Sequence, residues 1–141
     1  MAAELSDADY ATLAEFRFSL RQFLAFSESR AAECGLTPQQ HQALLAIRAA
    51  PADGATVGYV ADRLILKPHS ATGLVDRLVV LNLVERKASA QDKRRALLVL
   101  TREAHTKLAR LSAVHREEIL RLKPLLTGLL GTMKAPQNME Q

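Results

Sequence analysis

A chain of 141 residues that is 48% hydrophobic can build a core of its own, so one domain, or a compact domain with a dimerising extension, is expected; 4% aromatics and no Trp favour a Leu- and Ala-rich helical protein over a β-sandwich. The single cysteine, Cys34, excludes an intramolecular disulfide, the opening MAAELSDADY lacks a signal-peptide pattern, and no run nears the ~20 apolar residues of a membrane helix, so a cytoplasmic protein without membrane association is expected. The net charge of +4 is uneven: four cations against seven anions over residues 1–59, eight against four over 60–95, seven against four over 96–141, which makes the basic middle a candidate polyanion-facing surface.

Ser6 or Asp7 can cap a first helix whose apolar positions Leu13, Phe16, Leu20, Phe23 and Leu24 follow helical spacing. It runs to about Cys34 and stops at Gly35, a natural C-terminal breaker. Thr37-Pro38 supplies an N-cap and a first-turn Pro for a second helix through Leu44, Leu45 and Ile47, which yields at Ala50-Pro51. The turn PADGA follows. Thr56 opens a short third helix with Val57, Val60, Ala61 and Leu64 inward, and Lys67-Pro68 interrupts it. A fourth helix runs from about Pro68 to Asn82 with Ala71, Leu74, Val75 and Leu78 facing the core. Its opposite stripe is His69, Thr72, Gly73, Asp76 and Val80, edged by Ser70 and Arg77. The N-terminal end of that stripe is small and polar, so it can lie close against another molecule. Asn82 tolerates the left-handed backbone that ends a helix.

Val84 to Thr101 reads as a β-hairpin, with Leu97 to Leu100 suited to a pleated, half-buried surface. Ser89, Ala90, Gln91 and Asp92 make its polar turn, followed by Lys93, Arg94 and Arg95. Three adjacent cations on a protruding tip have no core to serve, and such a tip reaches phosphates or a DNA groove. Thr101 then caps a long helix with Leu108, Leu111, His115, Ile119 and Leu122 along one side, up to Pro124. A final apolar segment, Leu125 to Met133, precedes a polar tail expected to fray. The terminal helices carry more apolar positions than the short middle can cover, so a second copy of the chain is the expected cover.

Two short helices with a tight turn, then a hairpin, is the order of a winged helix-turn-helix. The second helix of such a unit reads base edges in the major groove with side chains near its N-terminus, here Lys67, His69, Ser70, Thr72 and Arg77. Backbone N–H groups at that helix start can receive a phosphate. The wing tip then lies near a minor groove, whose negative potential favours a guanidinium.

From about Leu13 to Leu126 the sequence resembles the MarR family, the multiple antibiotic resistance type of transcriptional regulator. LTPQQHQALLAI (36–47), HSATGLVDRL (69–78), LVER (83–86) and DKRRALLVLT (92–101) carry the resemblance, the last most specifically. It implies a mainly α winged helix-turn-helix with a two-stranded wing at about 36–101, and dimerisation helices at about 6–34 and 102–134, all within a single domain spanning 1–141. It implies a homodimer on double-stranded DNA, on a pseudo-palindromic operator and commonly as a repressor. Arg94 would enter the minor groove while Asp92 orients it or the wing, with Lys93, Arg95, Arg86 and Gly73 completing the DNA-facing set. Many members carry Arg where this chain has Gly73, Gly where it has Ile65, and Gly where it has Asn82. Many also release DNA when a small, often aromatic, acid binds a crevice beside the DNA lobe. Arg17, Arg21, His41 and Arg48 are the candidate cations for such an effector, beside Phe16 and Phe23.

Other classes compete. No G-x-S-x-G elbow or phosphate loop appears, and His41, His69, His105 and His115 lack the spacing of a helical metal pair, so neither an enzyme nor a cofactor or metal is expected. A dimeric winged-helix scaffold that binds proteins is open on fold alone. Against it stand Lys93, Arg94 and Arg95 beside the helix of Lys67 and His69. A redox-sensing regulator acting through Cys34 is the other alternative; Arg30, its near cation in sequence, is balanced by Glu33.

Overall fold

The computed structural model describes residues 4–133. Their order is α1 (Asp7–Glu33), α2 (Pro38–Arg48), α3 (Val57–Leu64), α4 (Pro68–Val80), β1 (Val84–Ala88), β2 (Ala96–Leu100) and α5 (Arg102–Gly131). This is the mainly helical winged-helix architecture. The tail after Met133 lies outside the described residues.

Local chemistry sets the helix ends. Thr37 caps α2 through a reciprocal box: its hydroxyl accepts from the Gln40 N–H at 3.1 Å, and the Gln40 side chain accepts from the Thr37 N–H at 3.0 Å. The Thr56 hydroxyl caps α3 by accepting from the Tyr59 N–H, and Thr101 does the same for α5 with Ala104. Three helices close by one device. After α1, α3 and α4 the chain turns left-handed at Gly35, Ile65 and Asn82, with φ of 77°, 55° and 59°. In each case the next N–H reaches a carbonyl five residues back: Leu36 to Ala31, Leu66 to Ala61, and Leu83 to Leu78. Gly and Asn suit that backbone; a β-branched residue such as Ile does not.

One sequence expectation fails at Pro124. The last helix does not end there, because α5 continues through Pro124 to Gly131. Proline's fixed φ is compatible with a helix, and its penalty is a missing N–H donor and crowding of the preceding turn. The apolar segment expected as a separate piece is the end of α5.

The chain divides into two compact units. Residues Glu28–Ala113 form the unit that carries α2, α3, α4 and the β1–β2 hairpin. Its core includes Leu44, Val60, Val75, Leu78 and Val84, and it also takes in Ala31 from the end of α1 and Ala104, Leu108 and Leu111 from the start of α5. On α4, Ala71, Val75 and Leu78 are buried as the periodicity requires, with Leu74 half-buried. The strands pair antiparallel from Val84 with Leu100 to Ala88 with Ala96, and the Leu98 N–H donates to the Ala55 carbonyl, pinning the α2–α3 loop to the hairpin. Gly54 in that loop has φ 94°, a backbone that strains any other residue, and a Cβ there would press on the Leu97 methyls at 3.1 Å.

The other unit joins residues up to Ser27 with those from Val114 onward. Ser27 and His115 are buried and share a hydrogen bond of 2.7 Å between Oγ and Nε2. Phe23 and Phe26 meet the His115 ring edge to face, at centroid distances of 6.0 and 5.6 Å. Phe18, Leu20, Leu24, Ile119, Leu120 and Leu125 of this unit are each at least 42% exposed in the single chain.

Candidate nucleic-acid interface

All seven residues of the polar α4 stripe and its edges, His69, Ser70, Thr72, Gly73, Asp76, Arg77 and Val80, are exposed. The start of α4 differs from the other capped helices. Its N-cap, Lys67, makes no side-chain cap bond, so the first N–H groups of α4 are left without the hydroxyl partner that α2 and α3 have. An uncapped N-terminus beside the Lys67 ammonium has the electrostatics of an anion acceptor. The Thr72 hydroxyl donates back to the Pro68 carbonyl at 3.0 Å and keeps only its lone pairs for a partner. A Cβ at Gly73 would meet nothing within 4 Å, so the middle of the stripe is open space.

The wing tip is held by its own polar residues. Ser89 Oγ accepts from the Gln91 and Asp92 N–H groups, the Ser89 N–H donates to the Arg95 carbonyl, and the Arg95 N–H donates to the Asp92 carbonyl. Asp92 Oδ1 accepts from the Arg94 N–H at 3.0 Å. Of the two roles open to Asp92 in the sequence, this bond is with the backbone, as in an Asx turn, and fixes the loop that carries Arg94. Lys93, Arg94 and Arg95 are exposed. Ser89, which the sequence places in the polar turn, supplies the hydroxyl that holds that turn together.

Arg86 has a partner that sequence reading did not find. Its guanidinium pairs with the Asp76 carboxylate, linking β1 to the exposed face of α4. Ten residues separate the two in sequence, and only the packing of the hairpin against α4 brings them together. Asp76 thereby becomes part of the candidate surface as the residue that positions Arg86.

The four effector candidates fall in both units. Arg17 and Arg21 are exposed on α1 in the terminal unit, whereas His41 and Arg48 lie on α2 in the other. His41 is 3% exposed. Arg48 is exposed and borders, with His105 and β2, a cavity of about 160 Å³. Cys34 is half-buried just past α1, and its carbonyl accepts from Lys107 Nζ at 2.8 Å. Among the described residues no group of three His, Cys, Asp or Glu is placed to hold a metal, and no helix is long and apolar enough to cross a membrane.

A helix-turn-helix formed by α3 and α4, followed by a two-stranded wing, defines a winged-helix protein. Residues 35–95, from the glycine that ends α1 to the wing tip, match the model of the MarR family. No curated protein matches the chain. Among solved structures it is similar to MepR, a transcription regulator of the Staphylococcus aureus multidrug efflux pump MepA, with 21% identity, 84% of this chain and 96% of that one covered, and a TM-score of 0.70. It is similar to AbsC, a MarR family transcriptional regulator from Streptomyces coelicolor, with 18% identity, coverage of 93% and 100%, and a TM-score of 0.69. A MepR–DNA complex from S. aureus matches with 21% identity, coverage of 84% and 94%, and a TM-score of 0.65. At these identities the likeness is one of fold.

Proposed function

We propose that this protein is a sequence-specific double-stranded DNA-binding transcriptional regulator, acting as a homodimeric, ligand-responsive repressor on a pseudo-palindromic operator in the cytoplasm. The observation that carries the reading is the joint exposure of an uncapped, cation-started α4 and a wing tip bearing Lys93, Arg94 and Arg95. A fold shared with a protein solved in complex with DNA supports it. In this reading His69, Ser70, Thr72 and Arg77 face base edges, Lys67 and the first α4 N–H groups hold a phosphate, and Arg94 enters the minor groove. Asp92 and Asp76 position the wing and Arg86. The exposed apolar side chains of the terminal unit supply the homodimer interface, which dictates two half-sites. Selection from random double-stranded DNA tests this directly. Enriched sequences should be pseudo-palindromes with half-site centres about one helical turn, ~10 bp, apart or a multiple of it. An unenriched pool would rule the reading out.

A further inference from the structure

Thr72 sits just past the first turn of α4, on its exposed stripe. A threonine carries two branches on its Cβ, and here they have different fates. The hydroxyl donates to the Pro68 carbonyl at 3.0 Å, a bond that restricts χ1 and turns the oxygen onto the helix's own backbone. Its proton is committed there, so Thr72 has none to give to a base acceptor such as a purine N7. The γ-methyl is the branch left to meet a partner. Gly73 puts no side chain beside it, and a Cβ there would meet nothing within 4 Å. One turn further on, the Asp76 carboxylate is taken by Arg86, which removes it as an acceptor for a base amino group.

We propose that Thr72 is a specificity-determining residue that selects a thymine in the operator, by contact of its γ-methyl with the C5-methyl of that base. The proposal deepens the DNA-binding reading and rests on it. In the major groove thymine is the base that presents a methyl group, and a threonine methyl is one of the apolar groups that meets it. Cytosine and the purines put a hydrogen or a polar edge in that place, against a methyl that can satisfy neither. The other use of the same side chain is as an acceptor, with the Oγ1 lone pairs taking an amino hydrogen of adenine or cytosine. The two uses assign the specificity to different atoms of Thr72, so substitutions that keep one atom and remove the other separate them.

The test starts from an operator enriched out of random double-stranded DNA by the full chain. Each thymine of one half-site is replaced in turn by deoxyuridine, which keeps the base pair and removes only the C5-methyl. In fluorescence anisotropy the parent should bind about three- to fivefold more weakly at one of these positions, the worth of one buried methyl. Thr72→Val keeps the methyl and drops the hydroxyl, and should show the same loss at the same position. Thr72→Ser keeps the hydroxyl and drops the methyl, and should bind the thymine and deoxyuridine DNAs alike. Both exposed substitutions should keep the circular dichroism of the parent. An operator that binds but is indifferent to deoxyuridine at every position would overturn the proposal and leave the DNA-binding reading standing. So would a thymine preference that persists in Thr72→Ser, or one that disappears in Thr72→Val. A pool that yields no operator would overturn both.

Discussion

At the scale of single residues, the least comfortable position is Ile65. It combines φ 55° with 92% exposure, so a β-branched side chain sits in a left-handed backbone and gains nothing from burial. Replacing it with Gly relieves the clash, and Ile65→Gly should raise stability by about 1 kcal/mol in urea unfolding. A destabilised variant would mean that Ile65 makes a contact of greater worth than its strain. Gly73 is the reverse case: a glycine inside an exposed helix with open space around it. Gly73→Ala should stabilise by about 0.5–1 kcal/mol, measured the same way. Asp92→Ala removes the carboxylate that holds the Arg94 N–H. It should weaken DNA binding by up to about tenfold while the melting temperature stays close to that of the parent, because an exposed hydrogen bond is worth about 1 kcal/mol.

At the scale of elements, what sequence shows and what it hides divide by range. Helix starts at Thr37-Pro38, Thr56 and Pro68, and stops at Gly35 and Asn82, were legible because a cap is a bargain between residues two to five apart. The α4 stripe was legible because one helix period sorts its residues into two faces. The continuation of α5 through Pro124 was not, since local rules score proline only as a breaker, and a long helix can absorb one missing hydrogen bond. Nor was the Arg86–Asp76 pair, which exists only once the hairpin packs on α4. The burial of His41 was equally hidden, because tertiary contact decides it. The Ser27–His115 bond joins two distant stretches of sequence inside the terminal unit. Ser27→Ala should cost about 1–3 kcal/mol, because a buried ring nitrogen loses that partner. A change under a few tenths would show that the bond adds little to this packing.

For the whole molecule, the two units have different needs. The unit of residues 28–113 closes its own core around Leu44, Val60, Val75 and Leu78, whereas the terminal unit leaves Phe18, Leu20, Leu24, Ile119 and Leu120 exposed in the single chain. The proposed homodimer resolves this asymmetry. In sedimentation velocity the chain should run as a dimer, and Leu24→Glu/Ile119→Glu should shift it toward monomer. The charge distribution argues at the same scale, with residues 60–95 holding eight cations against four anions. The central claim is that α4 and the wing form a DNA-reading surface. It is tested most directly by fluorescence anisotropy with DNA from upstream of the coding sequence, across a series of salt concentrations, with Arg94→Ala alongside. The account predicts saturable binding that exceeds binding to random DNA, falls steeply as salt rises, and collapses in Arg94→Ala. Weak binding, equal on both DNAs and indifferent to Arg94, would contradict it.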